Sequence, residues 1–436
     1  MQIRKKMLAM IIISLIYSIC IYAENTLGIK LLNKIPGAIV TEYEISKKHS
    51  LIISNGYAYL KGRVTFAEEK TYDVIFLIDT GAGSSYILGN NYTKVSKYFT
   101  YKIQGENYAL TLCDAEFDDF KINNWSLFAN QTEYLPPAHT ELFSEDCLFG
   151  ILGNDILMSK SFFLSLSESY FKWCDEIGIN QEQYRNYRKI VPHTFIQTIG
   201  QRDYYMYQID IEDDFFISDS RDYIIFDIFK SYDGKKSRYL VDTGTYNITT
   251  MIKDAYYLIN RYGYNHYYLK DEIGIRYGIC KINNISVLDK KFDYVYADCG
   301  AFEKKAFPLK SLGIQILSAF DIFFDTDGTN RVREISFFES ENNKYKEFRK
   351  KYDEGHFIPN YSYGFYANKS GKILMKTFWN EKEMLPKVQI GDVISSINGI
   401  PYKNVKLNTL PEKIQLNMQR KDGSEYTQWC RKRFLD

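Results

Sequence analysis

Excess charge of either sign is missing from this chain: 55 Lys and Arg stand against 54 Asp and Glu in 436 residues, a formal net charge of +1. No overall basic field exists to hold nucleic acid or an anionic membrane surface, so neither is an expected partner. Histidine is scarce, at five. None of the seven cysteines forms a Cys-x-x-Cys pair and no Cys/His cluster has zinc spacing, so the sequence predicts no metal site and no cofactor. What the chain does have is core material, 45% hydrophobic, in a length that suits two or three domains. Its 38 Tyr and 29 Phe favour strands and aromatic-lined clefts, although a plain compositional bias explains them equally well.

The N-terminus carries Arg4-Lys5-Lys6, an apolar run over 7–21 and then Tyr22-Ala23-Glu24. This reads as a secretory signal, residues 1–23, and the chain is expected to be exported to a periplasmic, cell-surface or secreted location. Two alternatives would leave it tethered to a membrane: an uncleaved anchor, or a lipid on Cys20, although Tyr17-Ser18-Ile19 matches a lipid-attachment pattern poorly. Export permits disulfides, and the simplest pairings fall inside each half, among Cys113, Cys147 and Cys174 and between Cys280 and Cys299. The seven Asn-x-Ser/Thr triplets read as incidental, because a glycan on Asn247 would crowd Asp242.

One phrase occurs twice. Val74-Ile75-Phe76-Leu77-Ile78-Asp79-Thr80-Gly81-Ala82 and Arg238-Tyr239-Leu240-Val241-Asp242-Thr243-Gly244-Thr245 are apolar runs ending in Asp-Thr-Gly. Each predicts a buried strand and a sharp turn that presents a carboxylate at the rim of a sheet. Gly150-Ile151-Leu152-Gly153 begins 71 positions after the first aspartate (79 to 150), and Gly313-Ile314-Gln315-Ile316 begins 71 after the second (242 to 313). Upstream, Val64-Thr65-Phe66 and Phe226-Asp227-Ile228-Phe229 precede the aspartates at matching distance, so each half is expected to be a hairpin whose second strand delivers the carboxylate. Further hairpins are expected over 101–112 and 264–279. The polar stretch 175–189 reads as a linker or short surface helix.

A lone Asp-Thr-Gly usually only ends a strand; the duplicated pattern resembles the aspartic proteases. The resemblance implies a mainly β chain with two retropepsin-like β-barrel lobes sharing a cleft, at 35–174 and 190–340. It also implies catalysis by Asp79 and Asp242 through an activated water. Two carboxylates within hydrogen-bond reach cannot both ionise, so one pKa rises and the pair holds a shared proton. Gly81 and Gly244 would let the backbone approach the carboxylates. Thr80 and Thr243 would bond across the dyad, Thr245 would reach Asp242, and Ser84 or Ser85 would supply the hydroxyl that Ala82 lacks. Tyr101, Tyr108, Tyr264 and Tyr267 all qualify as flap residues.

The remainder, 355–436, contains Tyr363-Gly364-Phe365 and Gly391-Asp392-Val393-Ile394-Ser395-Ser396-Ile397-Asn398-Gly399, with a strand expected over 372–377 and a short helix over 411–418. It resembles a small α+β PDZ domain. Tyr363, Gly364 and Phe365 then stand at the carboxylate-binding loop, and the partners implied are protein or peptide substrates and a peptide C-terminus at that loop. A scaffold protein acting through this segment, with catalysis lost, is the alternative. The run 322–329, Ile-Phe-Phe-Asp-Thr-Asp-Gly-Thr, resembles the nucleophile loop of haloacid-dehalogenase-type phosphatases. The chain lacks the alternating strands and helices such a fold needs after that loop, and a hairpin turn is expected there instead.

Overall fold

The computed structural model describes residues 39–43, 47–54, 57–66, 70–87, 100–103, 106–118, 120–130, 147–174, 187–199, 202–211, 237–245, 248–251, 266–270, 276–300, 310–328, 330–339, 362–367, 370–379, 382–405 and 409–433. The leader at 1–23, the tyrosine at 264 and the run 226–229 lie outside them, as do the side chains of Tyr101, Tyr108, Tyr267, Cys280 and Cys299.

The architecture is mainly β. Thr71–Ile78 carries the first aspartate, and its apolar run is buried on both faces. Val74, Phe76 and Ile78 enter the main core, while Ile75 and Leu77 pack with Tyr59, Phe149 and Ile151 in a second cluster. Alternation across the pleat sends successive side chains to opposite faces, so a continuous apolar run needs cover on both. Tyr57–Phe66 pairs antiparallel with this strand, which is the expected hairpin, and Leu148–Leu152 lies parallel on its other edge with Leu152 opposite Ile78.

The second half repeats the arrangement with one change. Ser237–Val241 carries Asp242, and Lys310–Leu312 runs parallel to it with Leu312 opposite Val241. Its antiparallel neighbour is Arg202–Ile211, with Leu240 opposite Gln208, and not the run 226–229 expected from sequence. The connection between the two strands spans 212–236, far longer than a hairpin turn.

The halves are joined by a six-stranded sheet to which both contribute. Phe162–Ser165 from the first pairs with Phe320–Thr326 from the second, Phe163 facing Phe323, and each continues into a hairpin with Tyr170–Trp173 or Val332–Glu339. The phosphatase-like run is therefore a strand and its hairpin turn, with Gly328 at φ +79. Of the expected linker or surface helix at 175–189, residues 175–186 lie outside the described residues and 187–189 are strand: Tyr187–Ile190 pairs with Val332–Glu339 and closes one side of this sheet. One continuous core runs through both halves, from Phe76 and Trp125 to Tyr239 and Ile316.

Both further hairpins form. Thr100–Ile103 pairs with Glu106–Phe117, and His266–Lys270 pairs with Arg276–Val287. The outer edge of His266–Lys270 is taken by Ile373–Trp379 of the C-terminal segment, Leu269 opposite Thr377, which places that segment in the sheet of the second half. The segment has its own core of Tyr363, Phe365, Ile373, Ile394, Ile397 and Leu416. The helix expected over 411–418 is instead the strand Lys413–Gln419. Ile414, Leu416 and Met418 are buried at every second position, a period that suits a strand and not a helix. The four-stranded sheet it joins gives this segment a β character, with the 3-10 turn Tyr402–Asn404 in place of the expected helix among the described residues.

The expected disulfides in the first half are not made. Cys113, Cys147, Cys174 and Cys430 form no disulfide among the described residues. Cys113 lies in the main core with its thiol toward the Trp125 carbonyl, whereas Cys147 packs against the separate cluster around Phe149.

Candidate active site

The two Asp-Thr-Gly turns meet. Each aspartate follows the last residue of its strand, and its N–H is held by the parallel neighbour: Asp79 N donates to Leu152 O and Asp242 N to Leu312 O, both at 3.1 Å. The next residues interlock. Thr80 Oγ1 donates to Val241 O at 2.8 Å and accepts from Thr243 N at 3.2 Å; Thr243 Oγ1 donates to Ile78 O at 2.8 Å and accepts from Thr80 N at 3.1 Å. Each hydroxyl uses its single proton on the opposite strand, so all four buried groups are satisfied and the turns are fixed relative to one another.

The glycines come next, and their lack of a side chain is required by the opposite carboxylate. A Cβ on Gly81 would stand 2.4 Å from Asp242 Cγ, and one on Gly244 would stand 2.3 Å from Asp79 Cγ. The carboxyl groups of Asp79 and Asp242 are thus brought together across the junction, close enough to act on one another. Asp79 Oδ1 accepts from Gly81 N at 2.8 Å and Ala82 N at 3.1 Å. Asp242 Oδ1 accepts from Gly244 N at 3.0 Å, and its Oδ2 accepts from Thr245 Oγ1 at 3.0 Å. The hydroxyl of Ser311, buried on the neighbouring strand, also favours the charged form of Asp242.

Burial pushes both carboxyls above the ordinary carboxylate range. At Asp79 the charge of Asp242 adds to that rise, and the two amides only partly oppose it. At Asp242 the hydroxyls of Ser311 and Thr245 oppose it first, then the bond from Asp79 and the Gly244 amide. The two carboxyls therefore hold a shared proton, and the titrations belong to the pair.

The parallel ladders change how the halves correspond. Leu152 and Leu312 are equivalent, so Gly313 corresponds to Gly153 and not to Gly150. The equal spacing of 71 is a coincidence of frame, and no glycine is lost at the turn in the second half. The hydrogen bonds agree: Asn154 N donates to Ala82 O at 2.8 Å and Ile314 N to Thr245 O at 2.7 Å, and the one-turn helices Asn154–Leu157 and Ile314–Leu317 start after those glycines.

Ser85 does not replace the missing hydroxyl at Asp79. Its Oγ donates to Asp155 Oδ1 at 2.6 Å and accepts from Gly153 N at 2.8 Å, while the amide of Ala82 supplies the second donor to Asp79. Burial pushes the Asp155 carboxyl up to about 6. Asn154 is buried beside it and donates from Nδ2 to Thr80 O and Tyr205 O, both at 2.9 Å. The sequence resemblance took in Asn154 and Asp155 only as part of the run 150–157 expected to pack behind the catalytic turn, without a role for either, and it passed over Ser311. For the first two a signal was present as Leu-Gly-x-x-Ile-Leu, which occurs at 152–157 and again at 312–317.

The residues of the other candidate loop belong to the C-terminal segment. Tyr363 is buried, its hydroxyl donating to Pro411 O at 2.7 Å with Leu410 O at 3.0 Å; Phe365 is buried too. Gly364 sits at φ +99, and its carbonyl accepts from Thr377 N. The side chains of that loop are core, and only its backbone is left to meet a ligand.

No protein-family model matches the chain, and no curated protein matches it.

Proposed function

We propose that the protein is an aspartic endopeptidase with two retropepsin-like lobes, 35–174 and 190–340, and a PDZ-like segment at 355–436. The observation that carries this reading is the meeting of Asp79 and Asp242, each set against the glycine of the opposite turn, on two turns with matching backbone bonds. The ionised member of the pair takes a proton from a water as the water oxygen attacks the scissile carbonyl, while the protonated member gives its proton to the carbonyl oxygen. The resulting diol collapses: the C–N bond breaks, the amine leaves with a proton from the dyad, and the acid product leaves the pair again holding one proton. No cofactor enters this balance.

The PDZ-like segment holds protein partners or substrates through strand addition. Phe365–Ala367 ends its sheet with one edge unpaired among the described residues, and an extended peptide fits such an edge. A strand at Lys413–Gln419 in place of a helix leaves that edge without a helical wall at this position.

The test is cleavage of unfolded protein mixtures by the purified chain across roughly pH 3 to 8, with Asp79→Asn and Asp242→Asn beside it. Cleavage by the unaltered chain and loss in both variants is the expected result. Activity surviving both substitutions would reject the dyad.

A further inference from the structure

We propose that Ser311 is a positioning residue of the dyad: with Thr245 it holds Asp242 as the ionised partner and thereby assigns the base to Asp242 and the acid to Asp79. The inference rests on the aspartic-peptidase reading and adds to it which carboxyl does what.

The two halves match in backbone but not in this side chain. Ser311 lies opposite Leu240 in its parallel ladder, two residues before Asp242 and on the same face of the sheet. Ile151 occupies the equivalent place opposite Leu77, in the apolar layer with Tyr59, Ile75 and Phe149. A buried hydroxyl in such a layer is costly unless it is bonded, and the place of Ser311 on the face that carries Asp242 makes that carboxylate the acceptor beside it. Thr245 and Ala82 differ in the same sense, since Thr245 Oγ1 bonds Asp242 Oδ2 and Ala82 offers Asp79 only its amide. Asp79 is held by two amides, from Gly81 and Ala82, whereas Asp242 has the single amide of Gly244 and hydroxyls in place of the second.

The consequence is specific to one limb of a pH profile. Losing the Ser311 hydroxyl destabilises the Asp242 anion, which exists in the singly and the doubly ionised pair but not in the fully protonated one. The lower dyad pKa should rise and the upper one should stay.

Carboxyl-carbon NMR on chain labelled at aspartate Cγ reads both titrations without turnover, with Asp79→Asn and Asp242→Asn to assign them. Ser311→Ala should raise the lower pKa by about one to two units, as expected for one hydrogen bond to a charge. The acidic limb of kcat/KM should move to higher pH by the same amount, with the alkaline limb unmoved and Ser311→Thr restoring the profile. Ser311→Cys keeps the volume with a weak donor, so it should behave as the alanine variant does and replaces it if that variant does not fold. An Asp242 titration identical in the folded unaltered, Ala and Cys chains would overturn the proposal. Were the unaltered chain to cleave no peptide while the Asp242 titration still followed Ser311, the peptidase reading would fall and the polarised pair would stand.

Discussion

Gly81 and Asp242 are neighbours across the junction of the two halves: the carboxyl carbon of Asp242 lies 2.4 Å from the point a Cβ on Gly81 would occupy. Gly244 stands in the same relation to Asp79, at 2.3 Å. Glycine is needed here for space and not for conformation, because neither residue has a positive φ. Gly81→Ala and Gly244→Ala should each push the opposite carboxyl away and lower kcat/KM by about 100-fold or more. A peptide assay checks this, with circular dichroism to show that the fold persists.

Thr80 and Thr243 hold the turns together through bonds that valine cannot make. Thr80→Val leaves Thr243 N and Val241 O without partners in a buried place, and a loss of about 2–4 kcal/mol is expected. Thr80→Ser keeps the hydroxyl and should cost little. Urea unfolding of the two variants separates hydrogen bonding from shape.

The dyad should lower stability at neutral pH. Both carboxyls have folded-state pKa values above the unfolded 3.8, so the native state binds more protons and loses stability as pH rises through the window above 3.8. Asp79→Asn should therefore raise Tm at pH 7, and the gain should fade on acidification toward pH 4. Calorimetry at both pH values gives the comparison. An unchanged Tm at pH 7 would contradict the burial of the pair.

Asp155 supplies a separate pH dependence. Its pKa is about 6 in the folded chain against 3.8 unfolded, so the stability it contributes falls between those values as pH rises and is flat above them. Asp155→Asn retains an acceptor for Ser85 and should remove this fall, a difference on the order of 2 kcal/mol. The curve of Tm against pH should be flatter in the variant across that window.

The paired turns were legible in sequence because an apolar run and Asp-Thr-Gly are local signals that need no distant partner. The frame of the second motif was not, since Gly150 and Gly153 both offer a glycine and only the ladders with Ile78 and Val241 choose between them. Lys413–Gln419 shows the reverse case: its alternation of Ile414, Leu416 and Met418 argued for a strand, and the expectation of a helix overrode it. The joining sheet left no trace to read. Phe163 and Phe323 are ordinary strand residues, and their pairing depends on the two halves coming together. Ser311 was invisible for a similar reason, because its partner Asp242 lies on a neighbouring strand 69 positions back (242 to 311).

The seam between His266–Lys270 and Ile373–Trp379 means that the last part of the chain is not a detachable bead. Cutting it off before residue 362 would bare a row of amide and carbonyl groups along the outer side of His266–Lys270, and raw borders of that kind seek out other chains. A shortened protein would be expected to clump, and its poor behaviour would say nothing about whether the missing portion takes a peptide.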